Sequence, residues 1–471
     1  MIKTRYLFVV LLLALFLIGI QNSVFSATTV TIDPNTKYVT FEGWGTSLCW
    51  YADGLGDWTD TNRNAIADLL FSSSGLGFNV VRYNIGGGEN PSHTHMRECA
   101  NIPGYLSSSG VYDWNADPRQ RWFLTAAKTR GANIFEAFSN SPPYWMTKSQ
   151  CSSGNTGGSN NLKDDSYDAF AEYLTEVVKH FQSSWGITFQ TLDPMNEPMG
   201  TWWSSGGRQE GCHFDRANQV NLIKLVGAKL ASKGLSGTKV SASDECSIDD
   251  AVASLNYYDS TALGYITQVN THAYGGSQRS QLNSLAKSKG KKLWMSEYGN
   301  GGEDISGALT LADTILKDLR EMKPAVWAHW QPIENENLVP TWGMIHGRFS
   351  GAEDYHITKQ YYGMANFSKY IRPGYDIIGS SDANTVCAYS ASAQKLIIVI
   401  RNSGTSDLSY TIDMNNGFSS VGSSATPYRT SSSENLATLS NLTISNKLLY
   451  ATVKAQSITT YVIPSVVKGG S

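Results

Sequence analysis

Two glutamates, Glu197 and Glu297, stand at the ends of predicted strands and are the residues best suited to carry out chemistry. Glu197 closes the segment that starts at Asp193, and Glu297 closes the apolar segment that starts at Leu293. A carboxylate at the end of an apolar strand is costly to desolvate, so its presence needs a reason. Cleavage of a glycosidic bond supplies one, because one carboxyl group protonates the leaving oxygen while a second attacks or stabilises the anomeric carbon. One such glutamate alone is more often a loop cap or an ion-pair partner, but two of them favour a catalytic pair.

Short apolar strands that alternate with amphipathic helices between residues 41 and 372 must position these glutamates. Apolar residues at helical spacing, such as Phe170, Leu174 and Phe181, mark the helices. The eight predicted strands are Phe41–Ser47, Asn79–Asn84, Asn133–Ser139, Thr188–Asn196, Lys239–Ser243, Gln268–Ala273, Lys292–Glu297 and Ala325–Gln331. Eight strands, each followed by a helix, predict an α/β fold of the (β/α)8 TIM-barrel type. A doubly wound parallel sheet fits the same alternation and stays open as the alternative.

The pattern changes after residue 376, where helical periodicity stops and strand-like alternation continues to the end of the chain. These segments predict a small β-sandwich over residues 377–471, to which residues 27–40 add an N-terminal strand. The Ser/Thr-rich stretch 419–434 is predicted to be a loop. We therefore expect a catalytic barrel over residues 41–376 between the two parts of the sandwich.

Residues 1–26 have the pattern of a secretory signal peptide. Lys3 and Arg5 precede an apolar run from Leu7 to Ile20, and small residues lead to a predicted cleavage site ahead of Ala27. The run of about 14 residues is shorter than the ~20 that span a bilayer. We therefore expect a secreted, extracellular protein with no membrane association in its mature form. The chain has 6 cysteines, and an oxidising compartment predicts disulfide bonds among them.

The composition restricts what the protein can bind. Only 16% of the residues are charged, 11% are aromatic, and the formal net charge is -3. A nucleic-acid-binding protein needs a basic field, and a disordered chain combines high net charge with few aromatic residues, so both classes are excluded.

His93, His95 and Cys99 lack an evident fourth ligand, so we expect no metal and no other cofactor. The expected state is a monomer.

Several motifs resemble glycoside hydrolase family 30. The segments around the two glutamates, Asn196-Glu197-Pro198 and Ser296-Glu297-Tyr298, are similar to the acid/base and nucleophile motifs of retaining (β/α)8 glycoside hydrolases. The motifs that narrow the resemblance to family 30 are Phe41–Gly45, Val81–Asn84, Phe138–Pro142, Gln209–Phe214 and Leu293–Tyr298. Within the family, the segment from about Thr29 to Ile463 resembles the endo-β-1,6-galactanases.

The resemblance implies a mechanism and a substrate. Glu197 is then the general acid and later the base, and Glu297 is the nucleophile of a double displacement. Net retention implies carboxyl groups about 5–5.5 Å apart. The implied substrate is the polysaccharide β-1,6-galactan in the side chains of arabinogalactan. Two alternatives stay open: another β-linked substrate of the family (xylan, β-1,6-glucan or glucosylceramide), or a non-catalytic carbohydrate-binding protein that keeps only the aromatic cleft.

Further substrate-binding residues are predicted at the other strand ends and in one loop. They are Trp44, Arg82, Asn140, Asn196, Trp203, His272, Tyr274 and Trp330. Arg82 is expected to hold Glu297 ionised through charge-assisted hydrogen bonds, and Tyr274 to orient the same carboxylate. The tryptophans are expected to present aromatic faces to the apolar C–H face of a sugar ring.

Overall fold

The centre of the protein is a closed barrel of eight parallel strands. The computed structural model describes residues 27–337 and 342–470, so the predicted signal peptide at residues 1–26 lies outside the described residues. The chain enters through β1 (Thr28–Thr40), which does not belong to the barrel. The barrel strands follow in sequence order as β2 (Gly43–Ser47), β3 (Val80–Asn84), β4 (Ile134–Phe138), β5 (Thr191–Asp193), β6 (Lys239–Ser247), β7 (Ile266–Gly275), β8 (Lys292–Tyr298) and β9 (Val326–His329).

Helices follow every strand of the barrel and confirm the predicted (β/α)8 architecture over a doubly wound sheet. They are α1 (Tyr51–Leu55), α2 (Asp60–Phe71), α3 (Pro118–Thr129), α4 (Tyr167–Ser184), α5 (Arg216–Ser232), α6 (Ile248–Tyr257), α7 (Ser260–Tyr265), α8 (Arg279–Ser288), α9 (Ile305–Lys317) and α10 (Lys359–Ser368). The predicted apolar face of α4 is buried, including Phe170, Leu174 and Phe181. The side chain of Asp215 caps α5, because its Oδ1 accepts a hydrogen bond from the Asn218 N–H at 3.0 Å.

The boundaries of two barrel strands differ from the prediction by more than two residues at one or both ends. The fourth strand was expected over Thr188–Asn196, but β5 pairs only over Thr191–Asp193. Pro194 follows directly and has no N–H to continue the ladder. The fifth strand, β6, runs beyond the predicted end at Ser243 and continues to Ser247. The continuation brings Asp244 and Glu245 into the barrel wall, next to the two predicted catalytic residues.

The second layer is a largely antiparallel β-sandwich built from both ends of the chain. After a small sheet of β10 (Ile333–Asn335), β11 (Ile345–Gly347) and β12 (Tyr355–Ile357), the remaining strands are β13 (Asp376–Ser380), β14 (Thr385–Ser390), β15 (Lys395–Asn402), β16 (Leu408–Asp413), β17 (Phe418–Ser420), β18 (Ser424–Ser431), β19 (Glu434–Thr438), β20 (Leu442–Ser445), β21 (Leu448–Val453), β22 (Ser457–Ile463) and β23 (Val467–Lys468). The N-terminal strand β1 lies between β13 and β16. The stretch 419–434 was expected to be a loop, and this is wrong, because β18 pairs with β22 along its length.

Helices α9 and α10 connect the barrel to the sandwich. The Asn366 side chain in α10 donates hydrogen bonds to the Tyr428 carbonyl at 3.0 Å and to Thr460 Oγ1 at 2.9 Å. Asn366 is fully buried, so the sandwich is held to the barrel by polar contacts as well as by apolar packing. Across residues 27–337 and 342–470, no helix is both long enough and apolar enough to cross a bilayer.

The cysteines do not form the disulfide bonds that were predicted. All six lie in the described part of the chain, and all six are free thiols. Cys49, Cys212 and Cys387 are buried in three separate apolar clusters. An even count of cysteines cannot show this separation, because the pairing depends on how the fold places residues that are distant in sequence.

Candidate active site

The carboxyl ends of the barrel strands surround a pocket of about 280 Å³ that contains both predicted catalytic glutamates. Its wall consists of residues from seven of the eight strand ends and their loops: Trp50, Arg97, Asn140, Asn196, Glu197, Trp203, Gln209, Tyr274, Glu297, Trp330, Glu334 and Trp342. Ligands of TIM barrels are bound at this end of the barrel. The structure therefore brings together both glutamates and five of the predicted binding residues.

Glu197 lies just beyond β5 in an unusual backbone conformation. Its φ of 45° is in the left-handed region, which costs energy for a residue with a Cβ and recurs at functional sites. The Glu197 N–H donates to the Asp244 carbonyl at 2.8 Å, and the Trp203 indole N–H donates to the Glu197 carbonyl at 3.0 Å. These two bonds hold the backbone so that the carboxyl group is directed into the pocket.

Glu297 lies in β8 and faces Glu197 across the pocket floor. The Tyr274 hydroxyl donates to Glu297 Oε1 at 3.0 Å, and Arg82 Nη1 lies 3.7 Å from Oε2. An oxygen of Glu197 and an oxygen of Glu297 lie within 4.8 Å of one another and of His272. This separation is below the roughly 6.5–9.5 Å that inverting enzymes need to place a water molecule between their carboxyl groups.

The surroundings of Glu297 disfavour ionisation of its carboxyl group. Burial, together with the charge of Glu197, raises the pKa of Glu297 to about 8, although His272 and Arg82 act to lower it. The Tyr274 hydroxyl donates to the carboxylate form of Glu297 and therefore stabilises it. One protonated acid beside one carboxylate is the state that a general acid and a nucleophile require.

A buried polar layer supports the pair from below. Arg82 is fully buried and donates to Glu136 at 2.8 Å and to Asp244 at 2.6 Å. Burial alone would lower the pKa of Arg82, but the carboxylates of Asp244 and Glu136 raise it above its usual range. For Asp244, the Arg82 and His272 charges outweigh burial and hold its pKa well below the usual range. Arg82 and Asp244 therefore form a buried ion pair, and Glu136 accepts a second hydrogen bond from Arg82.

His272 sits within the same layer and contacts both glutamates. Its Nδ1 lies 3.2 Å from Glu197 Oε1, and its Nε2 lies 3.5 Å from Glu297 Oε2 and 3.3 Å from Asp244 Oδ1. Burial would lower the pKa of His272, but the charges of Glu297 and Asp244 raise it well above its usual range. The raised pKa of His272 favours its imidazolium form, whose two ring nitrogens lie within reach of one carboxyl group each.

Three of the predicted substrate-binding residues do not line the pocket. Arg82 and His272 are fully buried beneath it and contact the carboxyl groups instead of the cavity. Trp44 was expected at the end of the first strand, but it is the second residue of β2 and is fully buried. Its indole N–H donates to the Ile371 carbonyl at 2.7 Å, and its ring packs against Trp327. Trp44 is a core residue because its side chain leaves the strand well before the carboxyl end.

Trp50, in the loop that follows β2, takes the position that was predicted for Trp44. Its ring meets Trp330 edge to face at 5.2 Å, and the Arg97 guanidinium stacks over it at 4.6 Å. The prediction also missed Glu334, which lies in β10, and Trp342, which lies between β10 and β11; both line the pocket. Neither residue belongs to a segment with a periodic apolar pattern. The strand-end rule could have pointed to Trp50, because the predicted strand Phe41–Ser47 already ended at the residue where β2 ends.

Comparison with known proteins agrees with this geometry. The profile described as O-glycosyl hydrolase family 30 matches residues 27–272. The endo-β-1,6-galactanase of Hypocrea rufa is 37% identical over 405 residues, which cover 80% of this chain and 82% of that protein. The exo-β-1,6-galactobiohydrolase of Bifidobacterium longum subsp. longum is 25% identical and matches over 82% of this chain and 35% of its own length.

The fold is shared with solved structures. The catalytic domain of the family 30 xylanase C from Talaromyces cellulolyticus aligns with a TM-score of 0.71 at 20% identity, over 92% of this chain and 99% of that one. A closed barrel with a facing pair of glutamates at its carboxyl end defines the class of the protein as a (β/α)8 glycoside hydrolase. The chain belongs to glycoside hydrolase family 30.

Proposed function

We propose that the protein is a secreted endo-β-1,6-galactanase that hydrolyses β-1,6-galactan side chains of arabinogalactan with net retention. The observation that carries the proposal is the facing pair of Glu197 and Glu297 in a chain that is 37% identical to an endo-β-1,6-galactanase. Residues 1–26 act as the signal peptide of the exported protein, and the mature enzyme works as a monomer.

The reaction proceeds in two displacements. Glu197 donates its proton to the glycosidic oxygen while a carboxylate oxygen of Glu297 attacks the anomeric carbon, so the bond to the leaving sugar breaks as the ester bond forms. The hydrogen bond from Tyr274 to Glu297 weakens as the charge on Glu297 disappears. Glu197, now ionised, removes a proton from water, and the resulting hydroxyl attacks the anomeric carbon and releases Glu297. The sugar regains its original configuration.

The cavity on the outer side of Glu197 supports internal cleavage of a chain. A second pocket adjoins the first at Glu197 and is lined by Trp202, Trp203, Arg208 and Gln209. Trp202 is 53% exposed, which is uncommon for so large an apolar side chain. Because Glu197 protonates the leaving oxygen, the sugars on this side belong to the leaving group. Pockets on both sides of the scissile bond suit a polymeric substrate, and the similarity to an endo-β-1,6-galactanase supports the endo mode of action.

Product analysis tests the proposal. The purified protein is incubated separately with debranched arabinogalactan, xylan, β-1,6-glucan and glucosylceramide, and the products are identified by chromatography and mass spectrometry. The expected result is a ladder of β-1,6-linked galacto-oligomers from the first substrate only. Release of xylo- or gluco-oligomers would transfer the activity to another substrate of the family, and galactobiose as the single product would make the enzyme exo-acting.

Variants of the pair test the assignment of roles. Glu197→Ala and Glu297→Ala are each expected to abolish turnover of galactan while the far-ultraviolet circular dichroism stays that of the wild type. Glu303→Ala is a matched control, because Glu303 is an exposed glutamate outside the pocket. Turnover near the wild-type level in either pocket variant would remove that residue from the mechanism.

A further inference from the structure

Glu89, His93, His95 and Cys151 form a compact group beside the active site, which we call the loop cluster. One candidate ligand atom from each of the four side chains lies within 4.8 Å of the others. Three of the residues lie in the loop after β3, and Cys151 lies in the loop after β4. The sequence suggested only His93, His95 and Cys99 and offered no fourth ligand. The fold replaces Cys99 with Cys151 and adds Glu89.

Three separations within the loop cluster are similar to those between ligand atoms of a tetrahedral site. His93 Nδ1 lies 3.0 Å from Glu89 Oε1 and 3.4 Å from Cys151 Sγ, and His95 Nε2 lies 4.0 Å from Glu89 Oε2. Tetrahedral Zn²⁺ with bonds of about 2.0–2.1 Å to nitrogen and about 2.3 Å to sulfur places nitrogen and sulfur ligands about 3.6 Å apart. The corresponding nitrogen-to-oxygen separation is about 3.4 Å. A cation at the centre therefore needs only small side-chain movements.

Outer contacts orient the ligand atoms toward that centre. His95 Nδ1 lies 2.6 Å from the Gly207 carbonyl, which can only accept, so Nδ1 carries the proton and Nε2 has a free lone pair. Nε2 is buried and has no hydrogen-bond partner among the described residues. Glu89 Oε2 accepts from both the N–H and the hydroxyl of Ser152, each at 2.8 Å. A carbonyl behind a histidine and donors behind a carboxylate are the usual outer contacts of metal ligands.

We propose that the loop cluster binds one Zn²⁺ ion, with Glu89, His93, His95 and Cys151 as its four ligands. Two imidazoles, one thiolate and one carboxylate suit a borderline metal, and four protein ligands leave no open position for catalysis. Cys151 binds as the thiolate and releases its proton to water. The role of the ion is structural and does not depend on the identity of the sugar substrate.

The ion ties together the loops that form one wall of the cleft. His95 precedes Arg97 by two residues, and Gly207 precedes Gln209 by two residues; Arg97 and Gln209 line the pocket. The Arg97 N–H also donates to the Arg208 carbonyl at 2.9 Å. Fixing His95 and Cys151 to one centre therefore fixes the two pocket residues relative to the barrel. Loss of the ion is expected to raise KM for the polysaccharide more than it lowers kcat.

Metal analysis of the full mature chain tests the proposal. The protein is dialysed against excess Zn²⁺ and then against metal-free buffer, and bound zinc is measured by inductively coupled plasma mass spectrometry. One zinc per chain is expected in the wild type and in the control Cys387→Ser, whose sulfur is buried in the sandwich. Cys151→Ser and His95→Ala are expected to lose at least nine-tenths of it. Wild-type protein without zinc, or zinc retained in both cluster variants, would overturn the proposal.

Substitution with Co²⁺ keeps the test decisive if the cluster variants do not fold. Wild-type protein loaded with Co²⁺ is expected to show intense visible bands of a tetrahedral site and a near-ultraviolet thiolate-to-cobalt band. One Co²⁺ per chain with both features supports the site. Weak octahedral bands without the thiolate transition would contradict it, because they would place the ion on oxygen ligands elsewhere.

Discussion

Replacing Tyr274 by phenylalanine removes the hydroxyl group that donates a hydrogen bond to Glu297 and leaves the aromatic ring in place. The hydroxyl donates to Glu297 Oε1 at 3.0 Å, and burial raises the pKa of Tyr274 well above its usual range, so the donor keeps its proton at every pH of interest. The aromatic ring remains in the variant and continues to pack against Tyr298 at 5.7 Å between ring centroids. The fold is therefore expected to survive the change.

The size of the effect follows from the charge on the acceptor. A hydrogen bond to a charged group contributes about 1.5–3 kcal/mol, and one pKa unit corresponds to about 1.36 kcal/mol. Loss of the donor destabilises ionised Glu297 and therefore raises the pKa of Glu297 by about 1–2 further units. Activity requires Glu297 to be ionised, so the acid limb of kcat/KM against pH moves upward by that amount.

The assay is the initial rate of galactan hydrolysis at low substrate concentration across the pH range in which the fold is stable. Tyr298→Phe is the matched control, because Tyr298 packs against Tyr274 but does not line the pocket. Its profile is expected to match that of the wild type. An acid limb that does not move in Tyr274→Phe, or that moves equally in Tyr298→Phe, would refute the assigned role of the hydroxyl.

Three further predictions concern the supporting layer, the leaving-group side and the cysteines. Arg82→Met leaves Glu136 and Asp244 without their buried cation, and urea denaturation is expected to show a loss of about 3–5 kcal/mol in the free energy of unfolding; a loss below about 1 kcal/mol would contradict the pairing. Trp202→Ala removes a stacking interaction that contributes about 1–2 kcal/mol, so it should raise KM for long galactan roughly five- to thirtyfold without changing kcat on a short aryl galactoside. The control Tyr257→Ala, at an exposed aromatic residue on α6, should change neither quantity. Equal effects of the two variants would exclude a subsite at Trp202. Denatured protein should yield 6 reactive thiols per chain without reductant, and a smaller number would demonstrate disulfides.

The sequence was sufficient for the barrel because its helices and strands follow clear apolar periods. The apolar faces of the helices and the eight short apolar runs each depend on local spacing, which a single sequence displays. The ends of two strands were predicted incorrectly. Pro194 ends β5 earlier than its apolar run suggests, and no proline or glycine marks the end of β6. The strand β18 was missed because its buried residues, Ala425, Pro427, Thr430 and Ser431, do not form an alternating apolar pattern, and because its partner β22 is distant in sequence.

The same distinction applies to the site: some of its residues can be predicted from local sequence, and others depend on contacts between distant segments. Glu197 and Glu297 were found because each closes a strand, and a strand end has a fixed place in a barrel. Trp44 was misplaced because strand alternation alone does not tell how far along the barrel axis a side chain lies. The loop cluster was missed because Cys151 is more than 50 residues from His95 in sequence, and only the packing of the loops after β3 and β4 brings them together.

The most direct test of the central claim is to trap the covalent intermediate and to identify the residue that carries it. The wild-type protein is treated with a 2-deoxy-2-fluoro-β-galactosyl fluoride, extended by one β-1,6-linked galactose, and digested for peptide mass spectrometry. We expect the fluorosugar as an ester on Glu297, together with β-configured galacto-oligomers as the first products of galactan in proton NMR. A label on any other residue, or α-configured first products, would contradict the account.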